Sequence, residues 1–292
     1  MKDTLIQQFK ETGHLQIHQL LIKKDIEFLL QSINRLLVNS NPVSLDYLEV
    51  EKNVSNYGTG WEFKDNLWRL SPRLRRFFLQ GPLAECATSF LKSPSQTSPD
   101  IALLRDQTYF KSPGSEATPW HQDGCFIPLP DIRSVTFWIP LHTIDPSMSP
   151  MHYVDASHKY CWLGFDSSED KSDFNNGMDD FMETQKKFNS LNLNITKYDD
   201  VKAGDVLVHA PWTLHGSPPH QGDRTRLAIV VIYFAYNSVV DLCEGIRLTN
   251  PVNTGQARSL RELNQRDLFP SLNGTILRTA NSRTPLVRKN FS

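Results

Sequence analysis

The chain has no surplus of charge of either sign: 31 Lys and Arg face 32 Asp and Glu, a formal net charge of −1. A basic stripe able to follow a phosphate backbone or an anionic lipid surface is therefore not expected, and nucleic acid and membrane are set aside as partners. Cysteine is scarce as well. The four, Cys86, Cys125, Cys161 and Cys243, show no CxxC spacing and no dense framework, which suits free thiols in a reducing compartment. No run approaches the roughly 18 apolar residues of a membrane span, and the opening "MKDTLIQQFKETGH" lacks the apolar core of a signal peptide. A cytoplasmic protein is expected, with no obligate protein partner evident. Internal repeats and low-complexity tracts are absent too. What remains, 292 residues with 39% hydrophobic and 22% charged, is an ordinary globular composition long enough to bury a sizeable core.

Along the chain the texture changes twice. "KKDIEFLLQSINRLLV", residues 23–38, places Ile26, Leu29, Leu30, Ile33, Leu36 and Leu37 on one helical face, and residues 1–100 read as mostly helical. From residue 101 the pattern becomes β. "IALLRDQTYFK", "SVTFWIPLHTI", "DVLVHAPWTLH" and "TRLAIVVIYFAY" are rich in β-branched and aromatic residues and are separated by Pro, Gly, Ser and Asp clusters, as in a sandwich or barrel. Residues 101–236 form the expected β core. An acidic, polar insertion at 164–200, with a short helix around 178–188, reads as too polar for the core and is expected to act as a lid over one rim. Residues 237–292 read as a polar C-terminal extension of the same single domain.

Two stretches carry chemistry. In "TPWHQDGCF", residues 118–126, His121 and Asp123 stand two apart, so on a strand they point to one face. That is the placement of two adjacent metal ligands, and equally of a hydrogen-bonded histidine beside an acid. In "GDVLVHAPWTLHGSPPHQGDRTRLAIVVIYF", residues 204–234, a strand is expected to end at His215. A turn follows, and a return strand then opens with Arg224 and Arg226 in the parity of Ala228, Val230 and Ile232. One arginine thus points into an apolar interior and needs an anion, while the other suits a salt bridge at the rim.

With "WHQDG" at 120–124, "TFWIPLHTID" at 136–145, "DASHK" at 155–159, "GDVLVHAPWTLHGS" at 204–217 and the arginine of "RTRLAI", the chain resembles the phytanoyl-CoA dioxygenase family of iron(II)- and 2-oxoglutarate-dependent oxygenases over about residues 9–235. The segment "SMSPMHYVDASHK" departs from the family's usual Asn-Gly-rich approach. The resemblance implies a mainly β double-stranded β-helix, a jelly-roll or cupin-like barrel with flanking helices. It also implies His121, Asp123 and His215 as catalytic iron ligands, Arg226 as the anchor of the remote carboxylate of 2-oxoglutarate, and Fe(2+), 2-oxoglutarate and O2 as reactants, with ascorbate a candidate reductant. Two histidines and one carboxylate fill one face of an octahedral iron and leave three positions open, and a forked, permanently charged arginine suits the carboxylate better than lysine does.

Gln107, Tyr109 and Lys111 share a parity that borders the pocket, and Gln107 is the candidate for a second contact to 2-oxoglutarate. Trp120, Trp212, Lys111 and Phe126 are candidate substrate-binding residues, although large aromatics also pack cores. His142, His152, His158 and His209 are expected outside the ligand set, and Cys125 is expected to pack. The resulting expectation is an oxygenase that hydroxylates or otherwise tailors a small molecule of specialised metabolism, releasing succinate and CO2. The alternatives are an acyl-CoA hydroxylase of the phytanoyl-CoA type, a non-catalytic cupin-like metal-binding module and a zinc hydrolase. Retention of all four chemical positions opposes the binding module, and a lone HxD without a second metal cluster opposes the hydrolase.

Overall fold

The computed structural model describes residues 3–38, 61–92, 101–126, 134–160, 163, 177–235 and 286–287. Its larger sheet is built from β1 (His14–Ile17), β2 (Trp61–Asp65), β3 (Ile101–Lys111), β5 (Ser134–Pro140), β8 (Val206–His209), β10 (Arg226–Ala235) and β11 (Leu286–Val287). They run in the order β1-β8-β5-β10-β3-β11, with β2 also paired to β3. The smaller sheet contains β4 (Thr118–His121), β6 (Met151–Val154), β7 (Ile195–Tyr198) and β9 (His215–Ser217), ordered β4-β9-β6-β7. Every pairing between named strands is antiparallel. The two sheets with their flanking helices form the double-stranded β-helix implied by the sequence.

Alternation divides the larger sheet into two chemistries. One face carries Leu15, Val135, Phe137, Ile139, Val206, Val208, Ile229 and Val231, all buried. It packs under Ile26, Leu29 and Ile33 of α2 (Lys23–Val38), Leu74 and Phe78 of α3 (Pro72–Gln80) and Leu83 and Ala87 of α4 (Pro82–Leu91). Burying a Val, Leu, Ile or Phe side chain fully contributes about 1.5–3 kcal/mol, so this dry layer is the main source of stability. The opposite face looks into the barrel. There Trp138, Leu207 and Ala228 meet Met151 and Tyr153 of the smaller sheet, and the polar members of the same rows collect. The helical layer is locally well specified: Ser71 caps α3 by accepting the Leu74 N–H, and Pro72 occupies the first turn.

The described part of the first hundred residues is mostly helical, with β1 and β2 added to the larger sheet. Two expectations change. The expected strand ending at His215 is two strands, β8 and β9, since Pro211 and Trp212 lie in a turn that carries the chain from one sheet to the other. Residues 164–176 lie outside the described residues, but the rest of the acidic insertion is docked on the barrel by a few buried side chains. In α5 (Gly177–Ser190), Phe181 and Phe188, seven apart on one helical face, are buried with Trp120, Val154 and Leu214, and β7 completes the smaller sheet beside β6. A polar average conceals two aromatic anchors at helical spacing.

Asp106 shows how tightly the layers are joined. Its carboxylate accepts the backbone N–H of Leu67 at 3.1 Å and of Trp68 at 3.0 Å, fixing the single helical turn Leu67–Arg69 to β3. Burial pushes its pKa up to about 7, against the pull of those two bonds. Asp106→Ala would strand two buried donors and is expected to cost about 2–4 kcal/mol, read as a lower urea midpoint at unchanged slope. A loss under 0.5 kcal/mol would show that the turn finds other acceptors.

Candidate metal centre

His121 and His215 are direct cross-strand partners of β4 and β9, and Tyr153 of β6 lies next to His215 on the other side. Asp123 is not on the strand with His121. The strand ends at His121, and Asp123 opens a 3-10 turn, Asp123–Phe126. The turn is fastened to the β8–β9 connection by Gly124 N–H to Pro211 O at 2.7 Å and Gln122 Nε2 to Trp212 O at 2.7 Å. Glycine is required here, because a Cβ at 124 would meet the Trp212 indole at 2.6 Å. The expected convergence is reached by a turn instead of by strand alternation.

His121 Nδ1 lies 2.8 Å from Pro119 O, and His215 Nδ1 lies 2.8 Å from Thr213 O. A carbonyl only accepts, so each Nδ1 carries the proton and each neutral ring keeps its lone pair on Nε2. Those Nε2 atoms lie 3.8 Å and 3.7 Å from Asp123 Oδ1. One donor atom from each of the three residues falls within 4.8 Å of the other two. Asp123 Oδ2 is engaged from the larger sheet, by Thr136 Oγ1 at 2.9 Å and His209 Nε2 at 2.9 Å. Tyr153, whose hydroxyl is 3.2 Å from His209 Nδ1, completes a chain from Tyr153 through His209 to Asp123. Burial alone would raise the Asp123 pKa, but the imidazoles of His215, His209 and His121 outweigh it and hold the carboxyl below its ordinary range. Burial, with His121 and His209 nearby, lowers that of His215. Two imidazoles with Nδ1 turned to a backbone carbonyl and one carboxylate, each with one donor atom turned inward, fit a divalent metal such as iron(II).

Next to this centre is a second polar cluster. Arg226 opens β10 opposite Lys111 of β3 and is 4% exposed. Its Nη1 donates to Ser149 O, its guanidinium lies 5.5 Å from the Trp138 ring centroid, and its Nε has no hydrogen-bond partner. Arg224 instead lies at the surface, 3.9 Å from Asp223, which resolves the choice between the two arginines. Lys111 is 1% exposed and donates to Thr118 Oγ1, Ser217 Oγ and Pro218 O at 3.1, 3.2 and 3.5 Å.

The remaining candidates separate. Gln107 faces the barrel opposite Val230 and accepts from the Tyr109 hydroxyl at 3.1 Å. Trp120 turns away from the triad: it stacks on Phe181 at 4.9 Å and donates to Phe181 O at 3.2 Å, a packing role. Trp212 covers Gly124. The side chains of Phe126 and Cys125 lie outside the described residues. His142 accepts the Leu227 N–H at 3.0 Å, His158 lies 3.2 Å from Lys10 O, and His152 lies 3.9 Å from Asp199. Residue-by-residue reading missed Thr136, Tyr153, Ser149 and Gln122 and gave His209 no role. The only available signal was parity, which puts Thr136 with Trp138 and His209 with Leu207 on the inward rows.

Residues 9–228 match the family model for phytanoyl-CoA dioxygenase (PhyH). Among solved structures, the chain is similar to SnoN, a non-heme alpha-ketoglutarate-dependent epimerase from nogalamycin biosynthesis, with a TM-score of 0.67 at 18% identity over 98% of each chain. The carbocyclase SnoK from the same biosynthesis gives 0.62 at 18% over 99% of this chain and 97% of that one. EctD from S. alaskensis, with 2-oxoglutarate and 5-hydroxyectoine, gives 0.65 at 17% over 89% and 86%. At these identities the likeness is one of fold. No curated protein matches the sequence.

His209→Phe keeps a ring but removes the N–H that occupies Asp123 Oδ2. Loss of a group that orients a metal ligand costs about 10- to 100-fold in metal affinity, and that weakening is expected in a Co(II) titration. Unchanged affinity would show that Thr136 alone orients the carboxylate.

Proposed function

Because this chain belongs to the phytanoyl-CoA dioxygenase family of iron(II)- and 2-oxoglutarate-dependent oxygenases, we propose that it oxidises a small molecule of specialised metabolism at the centre formed by His121, Asp123 and His215. The observation that carries this reading is the pairing of a two-histidine, one-carboxylate donor set with a buried guanidinium whose Nε lacks a partner. A buried cation costs several kcal/mol unless an anion meets it, and a 2-oxo acid with a remote carboxylate supplies one where Arg226 points inward. Iron(II) at the triad, together with 2-oxoglutarate and O2, supplies the oxidising power, the co-substrate leaving as succinate and CO2.

The protein's own residues set the conditions for that chemistry. The Pro119 and Thr213 carbonyls fix which nitrogen His121 and His215 present. Thr136 and His209 occupy one oxygen of Asp123, leaving the other to the metal. Trp138 closes one side of Arg226 and, with Ala228 and Leu207, keeps the carboxylate pocket dry, which strengthens the charge pairing. Gln107 and Tyr109, inward on β3, are placed to orient co-substrate or substrate. A small-molecule substrate is supported by the fold neighbours: an epimerase, a carbocyclase and a protein solved with 5-hydroxyectoine are three activities or ligands of that size.

Anaerobic addition of Fe(II) and 2-oxoglutarate is expected to give the weak visible absorption band of the iron–2-oxoglutarate complex. His215→Ala should lose iron, band and turnover together, and full activity with stoichiometric iron in that variant would sink the ligand assignment. Arg226→Met should retain iron but lose 2-oxoglutarate affinity by roughly a hundredfold to a few thousandfold, the equivalent of about 3–5 kcal/mol. If Arg224→Met has that effect instead, Arg226 is not the anchor.

A further inference from the structure

An irregularity in β3 decides where one further cation points. β10 pairs Ile232 with Arg105 but Tyr233 with Leu103, so Leu104 bulges out of the ladder. Ahead of it, Ile101 and Leu103 belong to the layer under the helices. Regular alternation would send Arg105 the same way, into aliphatic packing. The bulge turns it to the other face, with Gln107 and Tyr109, and re-aiming a side chain beside a site is a recurrent use of such bulges.

There Arg105 joins the row that carries the metal centre. It is the cross-strand partner of Ile232, which is in turn the partner of Thr136, whose hydroxyl occupies Asp123 Oδ2. Two strand spacings separate Arg105 from Thr136, about 10 Å. Arg226 lies six residues away from Ile232 along β10, about 20 Å of strand, too far for one carboxylate to meet both arginines. The inner face is open between them: Arg105, Tyr109 and Val230 are partly exposed, as are His121 and Asp123, whereas Gln107, Thr136 and Trp138 are buried.

Nothing in the fold answers this cation. The Arg105 Nε is buried without a hydrogen-bond partner, and its guanidinium forms no ion pair among the described residues. Asp106, the next residue, faces the helices and is taken up by the Leu67 and Trp68 N–H groups. On β5, in the parity of Thr136, Ser134 likewise keeps a buried hydroxyl without a partner. Orphaned buried donors are uncommon in a core that serves packing alone, and a forked cation matches a carboxylate or a phosphate.

Resting on the reading of the centre given above, we infer that Arg105 anchors the substrate: the molecule oxidised is a small acid, held by its carboxylate or phosphate on Arg105, with the carbon to be oxidised at its far end, toward the metal. The anion of the substrate and that of the co-substrate are thus received by different arginines, and the reaction is restricted to acids long enough to reach from β3 to the centre.

Binding is measured by calorimetry on protein loaded with Co(II) and saturated with 2-oxoglutarate, so that the pocket at Arg226 is filled and no turnover is needed. The probes are hexanoate, 4-phenylbutyrate and phenyl phosphate, each against its neutral counterpart, hexanamide, 4-phenylbutanamide and phenol. The wild type should bind at least one acid about 10- to 100-fold more tightly than its counterpart, and the carboxylate and phosphate pairs show which anion is preferred. Proton resonances of that acid should broaden with Co(II) and stay sharp with Zn(II), which places it at the centre. Arg105→Met should abolish the preference and Arg105→Lys should retain part of it, both with wild-type affinity for Co(II) and 2-oxoglutarate, which also shows that they fold. No preference in the wild type, a preference that survives in Arg105→Met, or an acid bound without Co(II) broadening overturns the inference. Failure of the wild type to bind 2-oxoglutarate on Co(II) overturns instead the reading of the centre.

Discussion

The carboxylate of Asp123 is where the two sheets meet. One oxygen is fastened to the larger sheet through Thr136 and His209, which are cross-strand partners on β5 and β8; the other faces His121 and His215, cross-strand partners on the smaller sheet. The spacing between the sheets on the inner side therefore has to satisfy a set of polar contacts as well as side-chain packing. His14 extends the row: it pairs with His209 across β1 and β8, stacks on Tyr153 at 4.7 Å and is 2.9 Å from Asp155. The N-terminal strand is in this way part of the support for the centre.

The division of labour between the faces of the larger sheet explains how such a polar interior is tolerated. Stability comes from the helix-facing side, where nearly all the buried residues are aliphatic or aromatic. The barrel side is free to hold buried cations, Lys111 and Arg226 foremost, because the energy of the outer layer offsets their cost.

Much of this was legible in the sequence. The HxD pair, the distant histidine and the arginine eleven residues after it pointed to the triad and to the buried arginine, since strict geometric needs leave few residue types to choose from. The parity of β10 correctly sent Arg226 inward. What escaped were features decided by tertiary partners. Asp123 reaches its place through a turn, which depends on Gly124 fitting under Trp212. Trp120 stands next to a ligand yet packs outward on α5, and nothing local distinguishes a pocket aromatic from a core one. The insertion looked solvent-exposed because its average is polar, while Phe181 and Phe188 at a spacing of seven were enough to dock it.

The irregularity in β3 carries a consequence for how this protein could diverge. β10 pairs Ile232 with Arg105 but the next residue, Tyr233, with Leu103, so Leu104 is an extra residue in the ladder. Before it, Ile101 and Leu103 face the helices. After it, the even residues Asp106 and Phe110 do, and Gln107, Tyr109 and Lys111 face the barrel. Loss of Leu104 itself would keep both pairings and both rows, whereas loss of one residue between Arg105 and Tyr109 would exchange the rows beyond it, driving an ammonium group into the aliphatic layer and a phenyl ring into the barrel. In homologous chains, length changes should accordingly gather at this bulge and in the loops on either side of β3, and spare the run from Arg105 to Lys111.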